Sequence, residues 1–223
     1  MTYLSPLIDA LQEASDPKDA LQMRQYMMDR FEFYGIRMKH RREICRLFVK
    51  ENGLPEFSDL EEVVKECFIA PQRELHYFGQ ELPVKFKRQW DEDIINLFEW
   101  TILNRSWWDS VDFIATNLVG EYFKLFPQHS VEITTLWINQ DNFWLQRAAI
   151  LFQLLYKEET DVDLLFSHIL KHTNQKEFFI RKAIGWALRD LSKTMPDKVI
   201  KFVAENEMQP LSKKEALRKI RTV

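Results

Sequence analysis

Five glycines and eight prolines in 223 residues leave little material for tight turns. A fold of short strands joined by hairpins needs turn residues at each reversal, so their scarcity points to long helices with short connections. Cysteine is scarcer still. Cys45 and Cys67 have neither metal-ligand spacing nor the density of a disulfide scaffold. Both sit in apolar helical patterns, where a buried thiol is expected. No apolar run approaches the roughly twenty residues of a membrane helix, and no signal-peptide pattern opens the chain, so a soluble, cytoplasmic protein is expected. Charge of one sign is not in excess either: 31 Lys and Arg stand against 34 Asp and Glu, for a net charge of −3. Glycine-rich phosphate loops and nucleophile elbows are missing too, which removes the commoner nucleotide-binding and serine-hydrolase readings.

What is present is helical period. Hydrophobic residues at 46% and charged residues at 29% give a globular composition with ample material for a continuous core. Apolar residues recur at mixed three- and four-residue intervals in Leu21–Phe33, Ile44–Val49, Leu60–Ile69 and Ile94–Leu103. Breaks fall at Asp16-Pro17, Gly35, Asn52-Gly53-Leu54-Pro55, Pro71, Pro83, Pro127, Pro196 and Pro210. These signals predict about a dozen helices of ordinary length. Asp141–Ile150 also resembles Lys176–Gly185 at an offset of 35 residues, aligning Phe143/Trp144 with Phe178/Phe179, Arg147 with Lys182 and Ala148 with Ala183. Ser106-Trp107-Trp108 opens an earlier unit at a similar spacing. Such a period, with two helices per unit, predicts an all-α solenoid of antiparallel helix pairs. Equivalent helices would then line one concave face.

The segment richest in chemistry is Arg105–Asp112, with two tryptophans and two carboxylates in about a turn and a half of helix. Trp108 and Asp112, four apart, share a face, whereas Trp107 faces elsewhere and is expected in the core. Asp109 near a helix start reads as a dipole-compensating charge. Farther on, Trp186 and Arg189 lie three apart. Acidic blocks at Asp59–Glu66, Asp91–Asp93 and Glu158–Asp163 lie between basic ones at Arg37–Arg46 and Lys213–Arg221. Gathered on one face, the basic blocks could hold a polyanion. Arg147, Lys182, Arg189 and the Lys213–Arg221 helix would reach phosphate oxygens, and exposed indoles would offer flat surfaces to a sugar, a base or a cation. A carboxylate inside such a groove opposes simple binding of phosphate and suggests chemistry. It suits loss of a base from a sugar, where cationic character develops at the sugar and an anion stabilises it.

The chain resembles the AlkD-type alkylpurine DNA glycosylases, the HEAT-like-repeat branch of the DNA alkylation repair proteins, over nearly its whole length. The resemblance is carried by Tyr26-Met-Met-Asp-Arg-Phe31, Phe33-Tyr-Gly-Ile36, Lys39-His-Arg-Arg42, Ser106–Asp112, Trp144–Gln153, Lys176–Trp186 and Pro210–Ala216. It implies one HEAT-like-repeat domain over residues 1–223, a monomer acting on duplex DNA. By the same resemblance Trp108, Asp112 and Trp186 fall on catalytic positions, and Arg147 and Arg189 on DNA-contacting arginines. Lys182, Tyr26, Arg41, Lys213 and Lys214 join them as candidate DNA contacts. The family excises cationic N3- and N7-alkylated purines without metal or other cofactor and leaves the lesion in the stack, unlike enzymes that flip the base out. At Leu155-Tyr156-Lys157 the chain departs from the family, whose lysine stands two places earlier, so one phosphate contact is in doubt.

Blander readings exist for each residue: Trp108 and Trp186 as core, Asp112 as a surface charge, Arg147 and Arg189 in surface ion pairs. His168 and His172 have the spacing of a metal pair but no evident third ligand, and no metal site is expected. For the whole chain the alternatives are a non-catalytic binder of damaged or branched DNA and a helical-repeat scaffold for protein.

Overall fold

The computed structural model of the protein describes residues 2–220; Arg221, the end of the second basic block, lies outside them. Among the described residues there is no β-strand, only an isolated bridge between Glu32 and Gln72. The chain divides into two compact units, Met1–Asp91 and Glu92–Val223.

The first unit holds α1 (Ser5–Glu13), α2 (Pro17–Tyr26), α3 (Met38–Asn52), α4 (Leu60–Ile69) and α5 (Arg73–Glu81). α1 lies on α3, and α4 pairs with α5. The start of α2 follows its sequence signals: Asp16 accepts from the amides of Lys18 and Asp19, and Pro17 opens the helix. Its end does not. Apolar period predicted a helical segment from Leu21 to Phe33, yet α2 stops at Tyr26 and Met28 turns left-handed at φ 56°. The Asp29 amide bonds to the Arg24 carbonyl at 2.9 Å and the Met28 amide to the Gln25 carbonyl at 3.0 Å, the paired bonds of a Schellman stop. Arg24 and Asp29 clamp it with an ion pair at 2.8 Å. Methionine occupies the place where glycine usually announces such an end, so the stop was invisible in the sequence. Downstream, the buried Glu74 carboxylate accepts from the successive amides of Tyr34, Gly35 and Ile36, fixing the turn into α3. Gly35 is required there: its φ is +90°, and a Cβ would sit 2.1 Å from the Asp16 carbonyl oxygen.

The second unit holds α6 (Ile94–Leu103), α7 (Trp108–Phe113), a π-helical stretch Ile114–Val119, α8 (Gly120–Leu125), α9 (Ser130–Ile138), α10 (Phe143–Leu151), α11 (Val162–His172), α12 (Phe178–Leu191), α13 (Pro196–Glu205) and α14 (Pro210–Leu217). They form two rows. In one, α7, α10, α12 and α14 lie side by side in that order. In the other, Trp137 of α9 donates its indole N–H to Glu99 of α6 at 2.9 Å, α9 touches α11, and Phe166 of α11 stacks on Phe202 of α13 at 4.0 Å between ring centroids. Buried alanines at 148, 149, 183 and 187 let α10 and α12 approach closely. His168 and His172 serve this packing. Their Nε2 atoms lie 2.8 Å from Thr134 Oγ1 and 2.9 Å from the Ile138 carbonyl, tethering α11 to α9. Burial depresses the His168 pKa to about 4, so the ring is neutral at pH 7. The two thiols are buried as expected, and desolvation raises both pKa values, that of Cys45 to about 11.

The repeat runs further than its sequence trace. Residues at the N-caps of α3, α5, α7, α10 and α12 are Arg37, Gln72, Trp107, Asn142 and Glu177, each thirty-five after the last; Gln209 of α14 follows thirty-two later. No single side-chain chemistry is common to all six residues. Only the side chains of Asn142 and Glu177 accept from the first-turn amides of their helices.

Candidate active site

Asp112, Arg147, Lys182 and Lys214 each stand five residues after an N-cap on the adjacent helices α7, α10, α12 and α14. One register of the repeat therefore carries one anion and three cations across neighbouring helices. The details show what each has become.

α7 starts from an extended Trp107, with Asp109 in its first turn opposing the helix dipole. Trp107 is core, as expected from its face: 5% exposed, with its ring edge-on to Trp144 at 5.8 Å and Phe179 at 5.1 Å. Trp108 and Trp186 are half-buried, belonging neither to the core nor to the open surface. After Phe113, one residue past Asp112, the helix widens into the π-helical stretch, a pitch change that recurs at functional sites. Side chains cover the carbonyls disturbed by it: Thr116 Oγ1 donates to the Asp112 carbonyl at 2.7 Å, and Asn117 Nδ2 to the Phe113 carbonyl at 3.0 Å. Sequence reasoning missed Thr116, although its place one turn after Asp112 was readable.

Arg147 was expected to reach phosphate from an open face. Instead its side chain is 1% exposed and grips Asp112 in a two-pronged ion pair, Nε to Oδ1 at 2.6 Å and Nη2 to Oδ2 at 2.8 Å. Nη1 donates to the Phe179 carbonyl on α12, and the guanidinium carbon lies 5.3 Å from the Trp186 ring centre. The planar fork of arginine matches both carboxylate oxygens, which lysine could not do. Burial pushes the Asp112 pKa above its ordinary value; hydrogen bonding and charge from Arg147 pull it back, and Asp109 adds a smaller upward push. Asp112 is thus a largely desolvated carboxyl group that Arg147 binds and aims, with 23% of its side chain still reaching solvent.

On α12, Lys182 Nζ lies 5.3 Å from the Trp186 ring centre, so this indole faces two cations. Lys182 and Arg189 both pair with Glu215 of α14, at 2.8 Å and 2.5 Å. Sequence analysis passed over Glu215 because it sits inside a basic block. Gly185 explains the fit: a Cβ there would lie 2.5 Å from Glu215 Cβ and 3.1 Å from the Ser212 carbonyl, so glycine admits α14.

The remaining candidates divide. Lys213 and Lys214 are exposed on α14. In the first unit, Tyr26 is 70% exposed and lines an open groove with Gln22, Met23, Phe33, Met38 and Tyr77. Arg41, expected as a DNA contact, is buried at 3% exposure and bonds Glu81 at 2.9 Å with its guanidinium 4.9 Å from the Tyr77 ring centre. Its donors are committed inside the unit, and its neighbour Arg42 carries the exposed charge. Leu155, where the resemblance implied a lysine, is 64% exposed and left-handed at φ 82°, its amide bonded to Asp190 at 2.8 Å. Among the described residues no group of three or more His, Cys, Asp or Glu could hold a metal ion, and no helix is long and apolar enough to cross a membrane.

Rows of paired helices with a carboxylate, a buried arginine and half-buried indoles on one row define a helical-repeat protein with a candidate active site. The family model described as DNA alkylation repair enzyme matches residues 7–220, and the chain belongs to that family. Among solved structures it is similar to a predicted DNA alkylation repair enzyme from Enterococcus faecalis: 30% identity, 94% of this chain and 98% of that one covered, TM-score 0.87. It also shares its fold with AlkD2 from Streptococcus mutans, at 17% identity, 90% and 100% coverage and a TM-score of 0.65. No curated protein matches the chain.

Proposed function

We propose that this DNA alkylation repair protein is a monofunctional glycosylase that hydrolyses the N-glycosidic bond of cationic N3- and N7-alkylated purines in duplex DNA. The observation that carries the proposal is the Asp112 carboxylate, largely out of water and gripped by Arg147 beside the Trp186 ring. Cleavage of a glycosidic bond builds positive charge on the sugar. A fixed carboxylate in a desolvated setting opposes that charge far better than one in bulk water, and need not reorganise when the charge appears. The same carboxylate can orient the attacking water. An alkylated purine is already cationic and leaves without being protonated, so one acidic residue suffices. Trp108, one helical turn from Asp112, and Trp186 would face the deoxyribose. Arg189, Lys182, Lys213, Lys214 and Tyr26 would meet the DNA backbone while the lesion stays stacked, which avoids the need for a base pocket.

Within this proposal the whole chain works as one repeat domain, a cytoplasmic monomer in base excision repair. A non-catalytic binder of damaged DNA has no use for a carboxylate held in a basic row, which favours the enzyme. The test is release of 7-methylguanine from a duplex carrying one such lesion, beside a duplex with uracil or hypoxanthine. Release of the cationic base with the neutral ones untouched supports the proposal. Efficient release of a neutral base would require a general acid and overturn the mechanism.

A further inference from the structure

Glu215 is a buried acid of the second unit that the proposed chemistry does not use. Its Oε1 lies 2.8 Å from Lys182 Nζ and its Oε2 2.5 Å from Arg189 Nη1. Residues 182, 186 and 189 form a single stripe of α12, because four- and three-residue steps keep to one helical face. Glu215 therefore bridges both ends of a stripe whose middle is Trp186, and Lys182 Nζ stands 5.3 Å from that ring. The acid itself has little room to move: it is 9% exposed, and its Cβ occupies the space a side chain at Gly185 would fill. The cations are the more exposed partners, with 21% and 23% of their side chains reaching solvent.

We propose that Glu215 is a positioning residue: it holds the Lys182 ammonium against the Trp186 ring and Arg189 on the same stripe, and it offsets one of their two charges toward DNA. This rests on the glycosylase reading. A free lysine or arginine must be ordered when DNA arrives, at a cost to binding; here the ordering is done in advance. An ammonium has three donors and a guanidinium five, so each keeps donors for a phosphate while Glu215 stays in place. Its pKa lies below the ordinary carboxylate value, chiefly through the Lys182 hydrogen bond, so the bridge is ionised at neutral pH.

Glu215→Gln should move two readouts in opposite directions. Binding to an undamaged duplex should tighten several-fold at low salt with a steeper salt dependence, because a negative charge has gone. Single-turnover release of 7-methylguanine should slow by about tenfold, because Lys182 and Trp186 lose their placement. In a Lys182→Ala background the same change should slow release much less, since the two act as one unit. A residue acting only through charge would raise binding and release together, and one acting only through the fold would lower both; either result overturns the proposal. The ammonium nitrogen signal of Lys182 in the parent protein, assigned through Lys182→Arg, needs no variant at Glu215 to fold. Slow proton exchange there supports the bridge, and fast exchange overturns it. If the parent releases no alkylated base, the glycosylase reading alone fails, and Glu215 is still judged by that signal and the duplex-binding series.

Discussion

Replacing Arg147 by alanine removes both prongs from Asp112, the bond to the Phe179 carbonyl and the cation facing Trp186 at once. Breaking a fully buried ion pair by deleting one partner costs about 3–5 kcal/mol, because the other charge is left desolvated. Asp112 keeps 23% of its side chain exposed, so a loss of about 2–3 kcal/mol is expected here. At roughly 2–4 °C per kcal/mol for a chain of this size, the melting temperature should fall by about 4–12 °C. The pH dependence has a definite sign. Burial already raises the Asp112 pKa and Arg147 opposes that rise, so without Arg147 the pKa climbs further. An acid with a raised folded-state pKa binds more protons folded than unfolded, so its contribution to stability falls as pH rises from the ordinary aspartate value through the raised one. The deficit of Arg147→Ala should therefore be largest above the raised pKa and shrink on acidification through it. Excision, which needs the ionised carboxylate, should fail first on the acid side and recover as pH rises. Arg147→Lys, which keeps the charge but loses the fork, should lie between parent and alanine. Melting curves and single-turnover release at several pH values test both halves. A deficit that grows on acidification, or an unshifted rate profile, would refute the reasoning.

Other perturbations separate the remaining roles. Gly185→Ala should push α14 from α12 and cost about 1–3 kcal/mol by overpacking, read as a lowered melting temperature. Trp108→Ala and Trp186→Ala should cost less than the roughly 3–5 kcal/mol of a core tryptophan, yet slow 7-methylguanine release several-fold; a large melting drop with intact release would return both to the core. Lys213→Gln and Lys214→Gln should each flatten the salt dependence of duplex binding by about one unit for every phosphate no longer neutralised. Arg41→Ala should leave that slope alone and lower stability, because its guanidinium is spent on Glu81.

How much was legible follows from chemistry at particular positions. α4 and α6 begin and end where apolar period put them, since each has a clean buried stripe. α13 and α14 open at Pro196 and Pro210, residues that fit a first helical turn and little else. The end of α2 was hidden because Met28 takes a conformation glycine usually signals. The repeat surfaced only where aromatic pairs recur at 107/108, 143/144 and 178/179; in the first unit the same register is kept by residues as unlike as Arg37 and Gln72, because packing geometry and not cap chemistry maintains it. Asp112, Trp108 and Trp186 could be singled out from spacing and residue type. Partnership could not: that Arg147 turns inward to Asp112, that Arg41 is spent on Glu81, and that Glu215 bridges Lys182 and Arg189 are pairings 26 to 40 residues apart in sequence.

The most direct measurement is single-turnover release of 7-methylguanine from a singly modified duplex by the parent and by Asp112→Asn, with duplex affinity and melting temperature recorded on the same samples. Asparagine keeps the shape of aspartate and one acceptor for Arg147 but carries no charge. If the carboxylate stabilises the forming sugar cation, release by the folded protein will fall by about 10²–10³-fold while affinity stays near the parent's; melting should drop by about as much as in Arg147→Ala, because Arg147 is left buried without a counter-charge. Release by Asp112→Asn at the parent's rate would contradict that role.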